Sequence, residues 1–284
     1  MLPTTETTII RPSALSGYGD CPRREAARLF RFEVERAGYK LRETPGGVAP
    51  VIGTATHAAT ARIVEEKLRS GNLGDLEEAE QAGIEKLGLC LEQETHFDKT
   101  SPTRKDAEIQ VRRMTRAYHR HIAPVLNPVA VESRLEAKIG KGFLLAGTSD
   151  VETIEPGVIR DTKTGVVSRT HAAQLGGYSL LSRSHGRVIA KGVIDFIKRV
   201  PVRTDQPPPV TSDYPVADIE NLAMHRIKRI QRDLTEFRHR VHTDAGPPEF
   251  AFDVNPMSNL CSDRWCPAWG TKFCAEWRYK ETSS

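Results

Sequence analysis

Two apolar runs between Ala146 and Gly165, joined by Pro156-Gly157, constrain the fold of this chain more than any other segment. Proline at the first and glycine at the second central position favour a type II turn, so the runs are predicted to form a β-hairpin. In the simplest register, Glu155 pairs with Val158 across the turn. This register then determines which side chains of the hairpin lie together.

Four charged residues fall on one face of the predicted hairpin: Asp150, Glu152, Asp161 and Lys163. Side chains alternate between the faces of a strand, so Glu152 is expected opposite Asp161 and Asp150 opposite Lys163. Carboxylates that converge repel one another and are costly to bury unless a cation lies among them. Their hard oxygen atoms favour Mg²⁺ or Mn²⁺. The alternative is a set of solvated charges on the exposed face of an ordinary hairpin, and spacing alone does not separate the two.

The chain has 284 residues and a formal net charge of +4. This length suits one large domain or two small ones, and the mildly basic charge is compatible with a polyanionic partner. No apolar run is long enough to span a membrane and the N-terminus lacks a secretory signal pattern, so we expect a cytoplasmic protein. The sequence also lacks a glycine-rich loop ending in Gly-Lys-Ser/Thr, which argues against nucleotide hydrolysis.

A helix is predicted to begin at Gly53, with Thr54 as its N-cap and His57 in its first turns. The positive end of a helix would keep the imidazole of His57 neutral and able to bind a metal ion. The alternative for a lone histidine is a satisfied core or surface group.

The remaining pattern predicts alternating helices and strands on both sides of the hairpin. Gln174 and Tyr178 are four residues apart, so they share a face of their helix. The basic helix at 217–242 carries arginines that could follow a phosphate backbone or simply face solvent. The predicted elements are helices at 75–97, 104–122, 171–181 and 217–242, strands at 129–139 and 192–200, and an extended proline-rich connector at 201–215.

Three cysteines, Cys261, Cys266 and Cys274, lie close together in the C-terminal segment. In a reducing compartment such clusters usually hold zinc or an iron–sulfur cluster. A fourth ligand would come from Cys21, Cys90 or a nearby histidine. Cys21 precedes a helix that begins near Pro22, although a capped helix with a small buried thiol is the alternative there. Cys90 lies among leucines, which indicates core packing.

Taken in order, these motifs resemble the RecB-type branch of the PD-(D/E)XK nuclease superfamily, especially its iron–sulfur members, the AddB nuclease domain and the CRISPR-associated, phage-borne stand-alone exonucleases. The resemblance spans nearly the whole chain. The motifs that carry it are Tyr18-x-x-Cys21-Pro, Gly53-x-x-x-His57, Gly147-x-x-Asp150, Asp161-x-Lys163-Thr-Gly, Gln174-x-x-x-Tyr178 and the three C-terminal cysteines.

The resemblance implies a role for each matching residue. The implied metal ligands are His57, Asp150, Asp161 and the main-chain carbonyl of Thr162. The implied catalytic residues are Asp150 and Asp161, with Lys163 activating the attacking water and Gln174 and Tyr178 positioning the scissile strand and the lysine. The implied [4Fe-4S] ligands are Cys21, Cys261, Cys266 and Cys274. The spacing of the tail cysteines is wider than the family usually shows, so zinc stays an alternative, and Glu132 and Glu152 are either further carboxylate ligands or electrostatic neighbours.

The expected fold is therefore a single α/β domain over residues 1–284, with a PD-(D/E)XK restriction-endonuclease-like core in which helices flank a central mixed sheet. A cysteine-bound metal staple would join the N- and C-terminal segments. The expected parts are an N-terminal helix at 13–52, a helical region at 53–127, a catalytic core at 128–200, a proline-rich connector at 201–216, and a basic helix with a cysteine-rich tail at 217–284.

The expected function is a DNA exonuclease that depends on Mg²⁺ or Mn²⁺ and acts on single strands or DNA ends in recombination, repair or CRISPR adaptation. It would act alone or with a recombination or CRISPR-adaptation protein, in a prokaryotic or phage-infected cytoplasm. The alternatives are a structure-specific endonuclease on the same scaffold and a catalytically inactive, metal-stapled nucleic-acid-binding protein.

Overall fold

A mixed sheet of six strands forms the centre of the computed structural model, which describes residues 7–92, 95–154 and 157–275. The six strands of this sheet are β1 (Thr8–Ile10), β4 (Pro128–Gly140), β5 (Phe143–Thr153), β6 (Val158–Gly165), β7 (Lys191–Lys198) and β8 (Val210–Pro215), and two short strands outside it are β2 (Gly46–Gly47) and β3 (Thr95–His96). The helices are α1 (Pro12–Asp20), α2 (Pro22–Leu29), α3 (Arg31–Arg36), α4 (Val48–Ser70), α5 (Leu76–Leu91), α6 (Arg104–His121), α7 (Ala172–Ser184) and α8 (Val216–Thr243). Short 3₁₀ turns lie at Ala123–Val125 and Pro248–Ala251, and β2 pairs with β3 apart from the main sheet.

Strand β5 is the centre of the sheet, because three strands pair with it. Antiparallel β4 follows one edge along its length. The other edge is shared, since parallel β1 pairs with Phe143–Leu145 and antiparallel β6 pairs only with Val151–Thr153. Between these two partners β5 and β6 diverge. The divergence opens a gap in the sheet beside Asp150.

Helices cover both faces of the sheet, which confirms the predicted α/β architecture. The parallel pair β6–β7 is joined through α7, as a parallel connection requires. Helix α7 packs with α1 and α8 around one hydrophobic cluster, which contains Leu175, Ile159 and Phe237. Helices α4, α5 and α6 pack around a second cluster on the opposite face. Within the described ranges, no helix combines the length and apolar character that crossing a bilayer requires.

Helix α4 begins at Val48, five residues before the predicted start, so Thr54 is not its N-cap. Thr54 lies inside the helix and its hydroxyl donates to the carbonyl of Pro50, 3.1 Å away. Pro50 is tolerated because a proline in the first turn removes no intrahelical hydrogen bond. The buried side chains of Val48 and Ile52 lie one turn apart and pack this early turn into the core.

The second half of the predicted connector is a strand. Residues Val210–Pro215 form β8, which pairs antiparallel with β7. Without β8 the outer edge of β7 would leave peptide groups unpaired, and the sheet satisfies them with this polar, exposed edge strand. The segment before it begins with a turn, in which the amide of Thr204 donates to the carbonyl of Pro201 at 2.8 Å, and then runs to β8 without regular secondary structure.

The hairpin register differs by two residues from the prediction. Thr153 pairs with Val158 and Glu152 pairs with Ile159, so Glu152 does not face Asp161. The connection between the strands is therefore longer than a two-residue turn. The predicted turn residue Pro156 and its neighbour Glu155 lie outside the described residues. Continuing the observed register brings Asp150 opposite Asp161.

The four charged residues of the hairpin also do not share one face. Residues of β4 and β5 alternate regularly until Glu132 and Asp150, where the alternation breaks in both strands. Leu135 and Leu145 lie in the cluster beside α7, whereas Val131 and Val151 lie in the cluster beside α4. Glu132 has a positive φ of 45°, which accounts for the break in β4.

Most arginines of α8 and α6 are held by carboxylates, so the predicted phosphate-following face is largely neutralised. Buried Glu80 binds both Arg112 and Arg116 of α6. On α8 the ion pairs are Arg229–Asp253, Arg232–Asp233, Arg238–Glu33 and Arg240–Glu236. Arg112, Arg116, Arg229 and Arg238 bind acids of other segments, whereas Arg232 and Arg240 bind acids within α8.

Two glycines inside helices offer a matched test of this packing. A methyl group added at Gly176 of α7 would overlap the carbonyl oxygen of Ile219 and lie 2.9 Å from Cβ of Ala223 in α8. We expect Gly176→Ala to lower the free energy of unfolding by about 2 kcal/mol or more, because overpacking outweighs the gain in helix propensity. Urea denaturation followed by circular dichroism measures the change.

The matched control is Gly88→Ala in α5, where the nearest atom to an added methyl group lies 3.6 Å away on a flexible arginine. This substitution should raise the free energy of unfolding by up to about 1 kcal/mol, since alanine is the better helix former. Equal effects of the two substitutions would show that α7 does not pack on α8 as closely as described.

Candidate active site

The gap between β5 and β6 is closed on one side by α4, which places His57 against Asp150. His57 lies in the third turn of α4, and its Nδ1 atom is 3.2 Å from Oδ2 of Asp150. The backbone N–H of Thr162 in β6 donates to the same oxygen at 2.7 Å. Asp150 is thus held by a helix and by the neighbouring strand across the gap.

Asp161 enters the gap from β6 with its carboxylate buried. Its Oδ2 atom lies 2.7 Å from Nζ of Lys163, which is two residues further along the same strand. That contact is an ion pair, and Oδ2 has no other partner in the described part of the chain. The other oxygen, Oδ1, accepts from Nε2 of Gln174 at 3.2 Å. Asp161 therefore keeps an acceptor available to a further cation.

Gln174 and Tyr178 reach the site together from one face of α7, as their spacing predicts. The amide nitrogen of Gln174 lies 3.2 Å from the hydroxyl of Tyr178 as well as from Asp161. Burial and the charge of Asp161 raise the pKa of Tyr178, so its hydroxyl stays protonated. The pair presents neutral hydrogen-bonding groups beside two acids and an amine.

Glu132 is the residue whose place the sequence left open. Its carboxylate, His57 and Asp150 bring one donor atom each within 4.8 Å of one another, and no other described residues form such a group of three. The positive φ at Glu132 turns its side chain into the gap. Its place depends on a break in strand alternation, for which a single sequence carries no clear signal.

Glu152, the other carboxylate left open, does not belong to the site. It accepts from Ser182 of α7 at 2.8 Å and from Ser149 at 3.0 Å, and it forms an ion pair with Arg187. These contacts lie beside α7, on the far side of the break at Asp150. Glu152 has a structural role in fixing α7 to the sheet.

The site holds protons that a metal ion would have to displace. Burial lowers the pKa of His57, but the charge of Asp150 outweighs it and raises the value to about 9. Burial and Asp150 raise the pKa of Asp161 against the opposing effect of Lys163. Burial and Asp150 likewise raise the pKa of Glu132 to about 7. The neutral imidazole that the sequence predicts is therefore wrong for the metal-free site, because His57 contacts Asp150 and lies away from the helix end.

The donor set fits a hard divalent cation. The carboxylates of Glu132 and Asp150 and the imidazole of His57 come from three different elements and form the group of three donors, and buried Asp161 lies beside this group without being one of its members. Such oxygen-rich sites suit Mg²⁺ or Mn²⁺. The carbonyl of Thr162 stays a predicted ligand, since the contact that the structure gives for Thr162 is made by its amide.

A second group of candidate ligands lies at the C-terminal end of α1, where four cysteines line one cavity. Cys21 occupies the position between α1 and α2, and the tail brings the other three beside it. The lining cysteines are Cys21, Cys261, Cys266 and Cys274. The cavity between these walls is narrow, with a volume of about 10 Å³. Cys90 does not line the cavity and is half-buried on α5, so it is less enclosed than the predicted core position.

The cysteine cavity is held by polar contacts that do not involve sulfur. Arg24 donates to Asp20 at 2.6 Å and to Ser258 at 3.1 Å, and Asn255 donates to the carbonyl of Asp20. These bonds join α1 and α2 to the tail. Burial raises the pKa of Cys266 to about 11, so this thiol keeps its proton until a metal replaces it.

The family comparison agrees with this geometry. A family model described as the PD-(D/E)XK nuclease superfamily matches residues 10–271. The chain belongs to the PD-(D/E)XK nuclease superfamily. This membership makes it a metal-dependent nuclease with the mixed sheet that the superfamily shares, and such nucleases typically use Mg²⁺ or Mn²⁺.

Solved structures similar to this nuclease share little of its sequence. A protein from Eubacterium rectale named "Putative exonuclease" is 12% identical, with a TM-score of 0.49 over 90% of this chain and 87% of that chain. A protein named SSO0001 is 14% identical, with a TM-score of 0.26 over 66% of this chain and 76% of that chain. A search among curated proteins gives no match.

The protonation of His57 predicts how the nuclease responds to pH. Its folded-state pKa of about 9 lies above the ordinary value of 6.5. The stabilisation from His57 and Asp150 is therefore fully present below about pH 6.5 and is lost as the pH rises towards 9. Between about pH 8 and 9, where Glu132 is already ionised, the affinity for Ca²⁺ or Mn²⁺ should rise by up to about tenfold per pH unit, because His57 loses one proton for each ion bound. Calorimetric titration and thermal unfolding in metal-free buffer measure the two trends.

His57→Gln is the control, since an amide has no proton to lose in this range. It should flatten both trends between pH 6.5 and 9. Metal affinity that does not change with pH in the unmodified protein would contradict the assignment of a protonated His57.

Proposed function

We propose that this nuclease is a metal-dependent DNA exonuclease, acting on DNA ends or single strands. The observation that carries the hydrolytic part is the meeting of Asp150, Asp161, His57 and Lys163 in one gap of the sheet. Exonucleolytic cleavage is supported by the resemblance of the motifs to stand-alone exonucleases. The recombination or CRISPR-adaptation partner that the resemblance implies stays a prediction.

His57, Asp150 and Asp161 are the proposed metal ligands, with the carbonyl of Thr162 and with Glu132 as a further carboxylate. A bound Mg²⁺ or Mn²⁺ polarises a phosphoryl oxygen and lowers the pKa of water. The chain's own residues prepare for this by placing the carboxylates of Asp150 and Asp161 on neighbouring strands, next to the stretch where those strands pair. Glu132 is a ligand only when ionised, and its raised pKa makes that ionisation dependent on a cation.

Lys163 is the proposed catalytic cation. Its ammonium contacts Asp161. With Asp161 holding a metal ion, Lys163 would be available to a water molecule or a phosphoryl oxygen. Positive charge fixed where negative charge develops lowers the barrier to phosphodiester hydrolysis. Gln174 and Tyr178 are proposed to position Lys163 and the scissile strand, because Gln174 donates to both Asp161 and the Tyr178 hydroxyl, which brings the two side chains beside the lysine.

A structure-specific endonuclease would use the same residues, and an inactive nucleic-acid-binding protein would not need them. In this site the ammonium of Lys163 contacts buried Asp161, and Asp150 lies beside them. Two adjacent carboxylates destabilise a protein that makes no use of them, so the arrangement supports an active enzyme.

The four cysteines are proposed to bind a [4Fe-4S] cluster. A single tetrahedral Zn²⁺ would hold its sulfur ligands about 3.8 Å apart, given a Zn–S bond of about 2.3 Å. In the described part of the chain no three cysteine sulfurs come within 4.8 Å of one another. A cubane cluster places four irons and four sulfides between its ligands and suits the wider separation. Bound there, it would join α2 to the tail.

Digestion of labelled DNA tests the proposed function. Purified protein with Mn²⁺ should shorten linear DNA progressively from an end and leave covalently closed circles intact, and EDTA should stop it. Lys163→Ala should lower kcat by about a thousandfold or more, because the site loses its fixed positive charge, while DNA binding remains. Gel electrophoresis of DNA labelled at each end measures the products.

The matched control is Lys191→Ala, which removes another strand lysine that forms an ion pair with an aspartate, Asp213, at the surface. It should retain full turnover. Cutting of closed circles would assign the protein to the endonuclease alternative, and absence of cleavage with any divalent metal would assign it to the binding alternative.

The cysteine proposal predicts a coloured protein. Anaerobically purified protein should be brown and contain about four iron atoms per chain. Cys21→Ser should lower the iron content and the melting temperature, because it removes a ligand between α1 and α2, whereas Cys90→Ser should change neither. Iron and zinc analysis by mass spectrometry decides the outcome. A colourless protein with one zinc atom would replace the cluster with zinc, and loss of metal in Cys90→Ser alone would reassign the fourth ligand.

A further inference from the structure

A second open cavity lies at the start of α4, away from the metal site. It has a volume of about 410 Å³ and is formed by three segments far apart in the chain. The segment before α4 contributes Arg42, Gly46 and Gly47, and the tail contributes Arg264 and Trp265. The segment between α5 and α6 forms the remaining wall. The parallel pair of β2 and β3 joins the segment before α4 to the segment between α5 and α6.

Aromatic rings and positive charges alternate around this cavity. Phe97 and Trp265 both line it and are each 39% exposed, which is unusual for large apolar side chains. The guanidinium of Arg264 lies 4.7 Å from the ring centroid of Trp265. Arg42 forms no ion pair with any described side chain and projects its charge into open space. With Asp263 as its one acidic wall residue, the cavity has a positive balance.

The tail wall is anchored beside the cysteine cavity. Arg264 and Trp265 lie between Cys261 and Cys266, in a turn closed by a 2.9 Å bond from the amide of Cys266 to the carbonyl of Ser262. The amide of Arg42 donates to the carbonyl of Pro267 at 2.9 Å, so the opposite wall is fixed to the same turn. Backbone hydrogen bonds therefore join the two walls that carry Arg42, Arg264 and Trp265.

The distance to the metal site suits a bound strand. Gly47 and His57 are ten residues apart on α4, which corresponds to about 15 Å at 1.5 Å per residue. Stacked nucleotides cover such a length in roughly four to five steps of 3.4 Å. One strand could thus occupy both places.

We propose that this cavity binds an unpaired nucleotide of the DNA substrate, several residues from the scissile bond. A base would stack on Phe97 or Trp265, and Arg42 and Arg264 would contact the adjoining phosphates. Flat apolar rings beside guanidinium groups match the two parts of a nucleotide, and stacking requires a base that is not paired. This inference rests on the proposed nuclease function, and it restricts the substrate to DNA with a single-stranded segment.

Binding of oligonucleotides of two lengths tests the proposal. The protein is used with its cysteine centre intact and with Lys163→Ala, so that no DNA is cut. Trp265→Ala and Arg42→Ala should each weaken binding of a single-stranded dodecamer by roughly 5- to 100-fold, the usual effect of losing one stacking or phosphate contact. Binding of a trinucleotide, which is too short to reach the cavity from the metal site, should change far less. Fluorescence anisotropy measures both affinities.

Phe32→Ala is the matched control, because Phe32 is an aromatic residue of α3 that is 69% exposed and does not line the cavity. It should bind both oligonucleotides as the parent protein does. Equal loss for the two lengths in Trp265→Ala, or no loss at all, would overturn the proposal.

Photocrosslinking keeps the test independent of variants that fold poorly. A dodecamer with 5-iododeoxyuridine at successive positions should crosslink to the peptide that contains Phe97 or Trp265, and crosslinks confined to other peptides would overturn the cavity assignment. The two proposals fail separately. If the unmodified protein cuts DNA but the cavity variants bind normally, only the cavity assignment fails. If the crosslinks form as expected but no DNA is cut, only the nuclease proposal fails.

Discussion

The electrostatic balance between two buried acids and their two cationic neighbours is the constraint on which the site depends. Asp150 and Asp161 lie close enough to raise each other's cost of ionisation. His57 stabilises the charge of Asp150, and Lys163 stabilises that of Asp161. His57 and Lys163 thus supply positive charge beside the same carboxylates that a divalent cation would bind.

This balance exists because the sheet is interrupted at one place. Strand β5 changes partners between β1 and β6, and the break in alternation at Glu132 and Asp150 turns both side chains towards α4. Asp161 and Lys163 remain on the side of α7. The site is formed where residues of opposite faces meet through the gap, so each of its walls belongs to a different layer of the fold.

The charges outside the site show how tertiary contacts limit what composition can indicate. The sequence offers a basic helix at 217–242, but most of its arginines are held by acids, either within the helix or from distant segments, as Arg238 is by Glu33. Exposed positive charge also lies on loops around the start of α4. A count of arginines could not separate the two cases, because pairing depends on which acids the fold brings near.

The sequence by itself determined the family, the α/β class and the identity of the residues that converge on the gap, because their motifs occur in a fixed order along the chain. It also indicated that Gln174 and Tyr178 act together, since helical spacing is a local property. Only the tertiary structure decided the register of the hairpin, the face on which each acid lies and the inclusion of Glu132 in place of Glu152. Those features follow from a strand that changes partners and from one residue with positive φ, and both are set by the packing of distant elements rather than by local sequence.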